Sequence, residues 1–252
     1  MTTHFDKRFV LAISGLDPSA GAGLLADIKT MENHGVYGLG TMTANTIQTD
    51  AHFYQCDWTN ADWLLKQIDE MFYYPVAAAK IGIVQSLDVL DDIISLLKAK
   101  SPNIQIVWDP VLSATTGFEF GKDFYDHPKL EQILSNLDVV TPNLEEISAF
   151  TSAGTVEEGI SYITQFCHCY LKGGHNEANP GVDQVYFSNG EVLQLDPILS
   201  TVYPKHGSGC VLSSALASQL ALGKGLHLGA SEAKKYTEEF LSSSISLLGN
   251  HI

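Results

Sequence analysis

Basic residues are scarce in this sequence: 14 Lys and Arg stand against 29 Asp and Glu, a formal charge of -15 over 252 residues. A surface of that sign repels phosphodiester backbones and excludes general nucleic-acid binding. It does not exclude a small anionic ligand, because one Lys and a few backbone N–H groups can hold a phosphate inside an acidic protein. Cysteine is scarce as well. The four present, Cys56, Cys167, Cys169 and Cys210, are too few for a disulfide framework and fit a reducing cytoplasm. Cys167-His168-Cys169 leads straight into an apolar segment with no second ligand pair at zinc spacing, so it reads as strand rather than metal site. No apolar run approaches the roughly 20 residues of a membrane-spanning helix. The stretch from Met1 to Arg8 is polar and lacks the apolar core of a secretory signal, so a cytoplasmic location and no membrane partner are expected.

Several catalytic signatures are also missing. Gly121-Lys122 and Gly223-Lys224 lack the upstream Gly and following Ser/Thr of a P-loop. Gly15, Gly21 and Gly23 do not have dinucleotide-fingerprint spacing, and there is no Gly-x-Ser-x-Gly nucleophile elbow. Without repeats, low-complexity tracts or linkers, residues 1–252 read as a single domain.

What is present is an alternation of apolar, strand-like runs with segments of helical period, the pattern of an α/β fold with a parallel sheet covered by helices. Strands are expected at Phe9 to Ser14, Val36 to Ile47, Val76 to Val84, Ile104 to Trp108 and Asp138 to Thr141. Helices are expected at Leu24 to His34, with Leu24, Leu25, Ile28 and Met31 on one face, at Ala61 to Tyr73, and at Ser86 to Lys98. Another begins at Asn143, and Thr155 with Glu158 has capping-box spacing for the next. Short strands around Gln184 to Phe187 and Glu191 to Leu195 flank the tight-turn dipeptide Asn189-Gly190. Gly209 to Leu222 reads as a buried helix and Glu232 to Leu248 as an amphipathic one.

In an open parallel sheet ligands bind beyond the carboxyl ends of the strands, so the loops there carry the candidate chemistry. His206-Gly207-Ser208-Gly209-Cys210 precedes the buried helix; its small residues permit close approach and its N–H groups could form an anion hole, although a plain turn and cap fits the same residues. Lys172, beside Gly173 and Gly174, sits at a strand end where a cation can lean over a phosphate; a surface charge is the alternative. Asn143 and Glu146, three apart, can orient water around Mg²⁺ or can simply cap a helix.

The run Ile13 to Thr30, containing Ser14-Gly15-Leu16-Asp17-Pro18 and Gly21-Ala22-Gly23, is similar to the opening of hydroxymethylpyrimidine/phosphomethylpyrimidine kinases. Thr43-Ala44-Asn45-Thr46-Ile47-Gln48, Lys80-Ile81-Gly82, Asp109-Pro110-Val111, Thr141-Pro142-Asn143 to Glu146, Lys172-Gly173-Gly174-His175 and His206 to Cys210 follow in that family's order. The resemblance spans nearly the whole chain. It implies a ribokinase-like three-layer fold with a central, mostly parallel sheet, a homodimer, and ATP as co-substrate with Mg²⁺. The implied reaction is two successive phosphorylations, of 4-amino-5-hydroxymethyl-2-methylpyrimidine and then of its monophosphate, in thiamine biosynthesis. Carried over by position, Gln48 would read the pyrimidine, with Gly15, Asp17 and Val111 near it; Asp109 and Glu146 would support Mg²⁺. Asn143, Lys172 and Ser208 would hold ATP, and Gly207, Ser208 and Gly209 would form the anion hole. Cys210, with a thiol pKa lowered at the helix start, would take the alcohol's proton.

The sequence departs from the family pattern at three places. Ser208 stands for the usual Thr, Leu16 for a usual Ser, and Ser113-Ala114-Thr115-Thr116-Gly117 lacks a Lys that often follows Asp-Pro-Val. Pyridoxal/pyridoxine kinase and a non-catalytic vitamin-binding protein of the same fold are the competing readings. A third makes Cys210 a nucleophile beside His206.

Overall fold

Strands buried on both faces belong in the middle of a parallel sheet, and the apolar runs take that place. The structure is a computed structural model that describes residues 6–113, 120, 124–152, 154–174 and 179–251. His175, residues 114–117 and the Gly121-Lys122 pair lie outside the described residues. Among the described residues nine strands form one sheet: β1 (Phe9–Leu16), β2 (Tyr37–Gln48), β3 (Phe53–Trp58), β4 (Val76–Ile81), β5 (Gln105–Trp108), β6 (Val139–Val140), β7 (His168–Leu171), β8 (Asp183–Tyr186) and β9 (Val192–Leu195). Their order is β3-β2-β1-β4-β5-β6-β7-β8-β9. β2, β1, β4, β5, β6 and β7 are parallel to one another, and the edges, β3 against β2 and β7-β8-β9, run antiparallel.

The helices are α1 (Gly23–Asn33), α2 (Ala61–Met71), α3 (Leu87–Lys100), α4 (Leu130–Ser135), α5 (Val156–Ile163), α6 (Ser208–Ala221) and α7 (Leu226–Ser242). Side chains alternate across a strand, and the two cores follow that alternation along β1. Leu11 and Ile13 join Ile68, Leu90, Ile93, Ile133 and Ile163 from the α2 to α5 side. Val10 and Ala12 join Met31, Val211, Leu216, Ala233 and Phe240 from α1, α6 and α7. The result is the expected three-layer, mostly parallel architecture.

Several expectations need correction. β3 was not expected: it is a short edge strand, half exposed and broken by polar residues, so no burial pattern marks it. α4 was missed for a similar reason, being only 6 residues long. The segment after Asn143 is a 3₁₀ turn (Glu146–Phe150), not an α-helix. α7 starts and ends earlier than Glu232 to Leu248. A Cβ on Gly229 would stand at ordinary contact distance from Leu216 and Gln219 of α6, so the helices pack closely there, which favours the early start, and Ser243 and Ser244 turn their hydroxyls to nearby backbone carbonyls, which favours the early stop. On α1 the inward face holds Ala26, Asp27, Thr30 and Met31, while Leu25 is 38% exposed. An acid turned inward on a surface helix requires a buried partner, and it has one.

Candidate active site

The loops that leave the parallel strands stay tied to the ladder for one more residue, and this places the polar groups. Gly82 N–H donates to Ile13 C=O, Asp109 N–H to Ile81 C=O, Thr141 N–H to Trp108 C=O and Lys172 N–H to Pro142 C=O, at 2.8 to 2.9 Å. β1 and β2 shift register around Gly15, where a side chain has no room: a Cβ would overlap Ile83, coming 2.9 Å from its Cγ1. Gly207 has φ 79°, the left-handed conformation that glycine allows, and α6 begins directly after it.

These loops enclose a cavity of about 480 Å³. Gly15, Gln48, Val111, Asp109, Asn143, Glu146, Lys172 and the run Gly207, Ser208, Gly209 and Cys210 all line it. Of the residues expected at the site, Asp17 alone does not. Its carboxylate, 1% exposed, faces its own loop: it accepts from the N–H groups of Ser19 (2.8 Å) and Ala22 (2.9 Å) and the Ser19 hydroxyl (2.7 Å), and its Oδ2 lies 2.9 Å from His206 Nε2. Burial raises this carboxyl, but the bonds from His206, Ser19 and Ala22 outweigh it and hold it below the ordinary range.

Lys172 Nζ stands between two buried carboxylates, 2.8 Å from Asp109 Oδ1 and 3.2 Å from Glu146 Oε2. Burial would pull its pKa down; the two carboxylates more than reverse this. The two acids diverge. Burial raises both, but Asp109, facing Lys172 and Lys80, ends below the usual range, whereas Glu146, with Asp109's like charge added, ends above it. The first turn of α6 abuts this triad: a Cβ on Gly209 would lie 3.3 Å from Lys172 Nζ, and the Ser213 hydroxyl lies 3.3 Å from Asp109 Oδ2. Asn143 and Glu146 form the reciprocal cap that was the plain alternative. Asn143 Oδ1 accepts from the Glu145 and Glu146 N–H groups at 2.8 Å, and Glu146 Oε2 accepts from Asn143 N–H at 2.7 Å.

Cys210 corrects the expected direction of its pKa. Burial pushes the thiol up to about 11, with the Asp27 and Asp109 carboxylates adding to the rise; Lys80 and the Gly23 N–H favour the thiolate but do not win.

Sequence reading gave Lys80 no role, yet it lines the cavity and is wholly buried. Its ammonium contacts both oxygens of Asp27 at 2.9 Å and Ser14 Oγ at 3.1 Å, while Asp27 also accepts from Ser14 Oγ (2.6 Å) and Ser214 Oγ (2.7 Å). A Lys inside the apolar run Val76 to Val84, and an Asp among the apolar positions of α1, were the signals. Phe120 also lines the cavity, near Phe53 and Trp58 of the overlooked β3, with ring centroids 5.4 and 6.3 Å away.

The phosphomethylpyrimidine kinase family model matches residues 17–252. A hydroxymethylpyrimidine/phosphomethylpyrimidine kinase of Staphylococcus aureus is 30% identical over 94% of this chain and 88% of its own length. One from Rhizobium meliloti is 31% identical over 93% and 90%. The chain also matches a multifunctional thiamine biosynthesis protein of Corynebacterium glutamicum at 29% identity, spanning 31% of that longer protein. Among solved structures, phosphomethylpyrimidine kinase from Clostridium difficile has a TM-score of 0.73 at 29% identity, covering 92% of this chain and 99% of that one. Pyridoxal kinase from Staphylococcus aureus in complex with ADP has a TM-score of 0.80 at 23% identity, covering 95% and 89%, a likeness of fold. With the family model running from the Asp17 loop through the start of α6 and beyond, this chain belongs to the phosphomethylpyrimidine kinase family.

Proposed function

We propose that this protein transfers the γ-phosphoryl group of ATP to the hydroxymethyl group of 4-amino-5-hydroxymethyl-2-methylpyrimidine, and then phosphorylates the monophosphate. The observation that carries this reading is one cavity with two kinds of lining. Gln48, Gly15, Ile83 and Val111 offer a flat amide and apolar walls suited to an aminopyrimidine; Lys172 and the first turn of α6 offer cation and N–H groups suited to phosphate. The alcohol oxygen forms a bond to the γ-phosphorus, the bond to the β,γ-bridging oxygen breaks, and ADP leaves. Lys172 and the N–H groups of Ser208 and Gly209 hold the charge spread over the transferring oxygens, the contribution that dominates phosphoryl transfer. Cys210 is the proton acceptor. With its thiol pushed up to about 11, Cys210 must first release its own proton to water in the cavity, and the thiolate so formed, favoured by Lys80 and the Gly23 N–H, then takes the alcohol's proton.

Mg²⁺ fits the donor set. It keeps several waters and takes one or two carboxylates plus substrate phosphates. Asp109 and Glu146 bring two buried carboxylates to a single ammonium, so the pocket carries one more negative than positive charge when both are ionised. They would hold the ion, which supplies charge neutralisation of the phosphates. No group of three or more His, Cys, Asp or Glu poised for a metal occurs among the described residues, so phosphates would complete the shell. The second reading, a pyridoxal kinase, is favoured by the likeness to the pyridoxal kinase of Bacillus subtilis, at 25% identity and a TM-score of 0.78. A homodimer and a cytoplasmic location belong to this proposal as well; no helix among the described residues is long and apolar enough to cross a membrane. An ADP-release assay on the pyrimidine alcohol, its monophosphate and pyridoxal tests it: turnover of both pyrimidines supports the proposal. Turnover of pyridoxal alone replaces it with the second reading.

A further inference from the structure

Asp17 lies behind the cavity wall, and its partner is a histidine that the reaction above does not use. His206 lines the cavity, yet is only 4% exposed. Its Nε2 lies 2.9 Å from Asp17 Oδ2, and since Asp17 is held ionised, Nε2 carries the proton and donates it. Its Nδ1 is buried without a hydrogen-bond partner among the described residues, so the Asp17 bond is the ring's one polar anchor there. The backbone is pinned from another direction, with the His206 N–H donating to Leu247 C=O at 2.9 Å. The ring edge rests on Gly21, where a Cβ would stand 2.9 Å from His206 Cδ2 and 2.7 Å from Leu248 Cδ2. Gly207 then presses onto the same loop: a Cβ there would overlap the Gly21 carbonyl and come 2.6 Å from Ala22 Cα. Just beyond, the Gly23 N–H faces the Cys210 sulfur and favours its thiolate. The 17–23 loop and the start of α6 are thus joined into one unit at three successive points, of which Asp17 with His206 is the polar one.

We infer that His206, backed by Asp17, is a positioning residue for phosphoryl transfer: it holds Gly207 in the left-handed conformation that lets α6 open at the cavity and keeps that anion hole in register with the loop carrying Gly15 and Gly23. The inference rests on reading the start of α6 as the phosphate site. The ring itself touches no reacting atom, but its loss frees the turn that leads into Ser208 and Gly209, and a displacement on the order of 1 Å at a phosphate site can cost about 10²-fold in rate. A Gln side chain can still donate an N–H to Asp17.

The test compares wild type, His206→Ala and His206→Gln in kinetics and in amide hydrogen exchange. His206→Ala is expected to lower kcat by roughly 10² and to raise KM for ATP severalfold, with KM for the alcohol within twofold of wild type. Exchange of the amides at 207–210 should quicken while the central strands keep their protection, and His206→Gln should recover most of the rate. An Ala variant with kcat within threefold of wild type overturns the inference. So does a general loss of strand protection that Gln does not repair, because His206 would then be ordinary packing. Should wild type phosphorylate neither alcohol, the proposed function fails separately. The inference is then decided by calorimetric binding of AMP-PCP: a loss of about tenfold or more in His206→Ala upholds it, and unchanged affinity overturns it.

Discussion

Lys80 and Lys172 line the same cavity and both pair with buried carboxylates, but their surroundings differ in one respect. Around Lys80 the account is closed: one ammonium, one carboxylate and two serine hydroxyls, with the Lys80 and Asp27 side chains both 0% exposed. Around Lys172 it is open, because one ammonium is shared by two carboxylates and its side chain is 13% exposed. A balanced and saturated pair has nothing to exchange and serves as scaffold, tying β1, β4, α1 and α6 together under Cys210. An unbalanced triad facing a cavity can change partners: when phosphate enters, Lys172 can turn to it and leave the carboxylates to a cation.

The comparison is most strongly tested by removing each ammonium. Lys80→Met leaves Asp27 buried and unpaired, and should cost about 3–5 kcal/mol of stability by urea unfolding. Adding Asp27→Leu should restore much of that loss, since a well-packed apolar pair often replaces a buried ion pair at little cost. Should the single variant unfold like wild type, the pair is not the scaffold described. Lys172→Ala should instead lower kcat by about 10²–10³ while costing no more than about 1–2 kcal/mol of stability, because Asp109 and Glu146 both line the cavity and water can fill the space the lysine side chain leaves beside them. The contrast collapses if the two lysines give the same division between stability and rate.

Between the two lysines in character stands Cys210, and Cys210→Ala should lower kcat by roughly 10² with little change in either KM. Its raised thiol pKa adds a pH test. The thiolate is the form that alkylates, so peptide-resolved reaction of Cys210 with iodoacetamide should climb towards pH 11 rather than level off near 8.5. A plateau by pH 9 would show that the helix start outweighs burial after all. At the open triad, Glu146→Gln removes a negative charge and should raise the Mg²⁺ concentration for half-maximal rate severalfold; an unchanged titration removes Glu146 from the metal environment. Away from both lysines, Gln48→Leu should raise KM for the pyrimidine by about tenfold and leave KM for ATP alone, the scale of a lost buried hydrogen-bond pair.

The parallel strands, the buried α6 and the loops at their ends were readable because apolar periodicity and Gly-rich strand ends are local signals. So were the Asn143 with Glu146 and Thr155 with Glu158 caps, whose partners lie three residues apart. Cys210 was located correctly, but its pKa was not, because the sign depended on how much protein surrounds it. Asp17 was placed with the substrate for its position in a motif, and only the fold shows it turned the other way, towards His206, 189 residues along the chain. The Lys80 to Asp27 pair spans 53 residues and the Ser214 to Asp27 bond 187.

The sequence by itself determined the parallel strands and the longer helices, which loops carry polar groups and which family the chain resembles, because these follow from spacing within about a dozen residues and from ordered motifs. Only the tertiary structure decided which polar groups are spent on holding the fold and which are left for a ligand. That choice depends on the burial and total charge of groups far apart in the chain, and burial changes the cost of a charge by more than any local pattern can express.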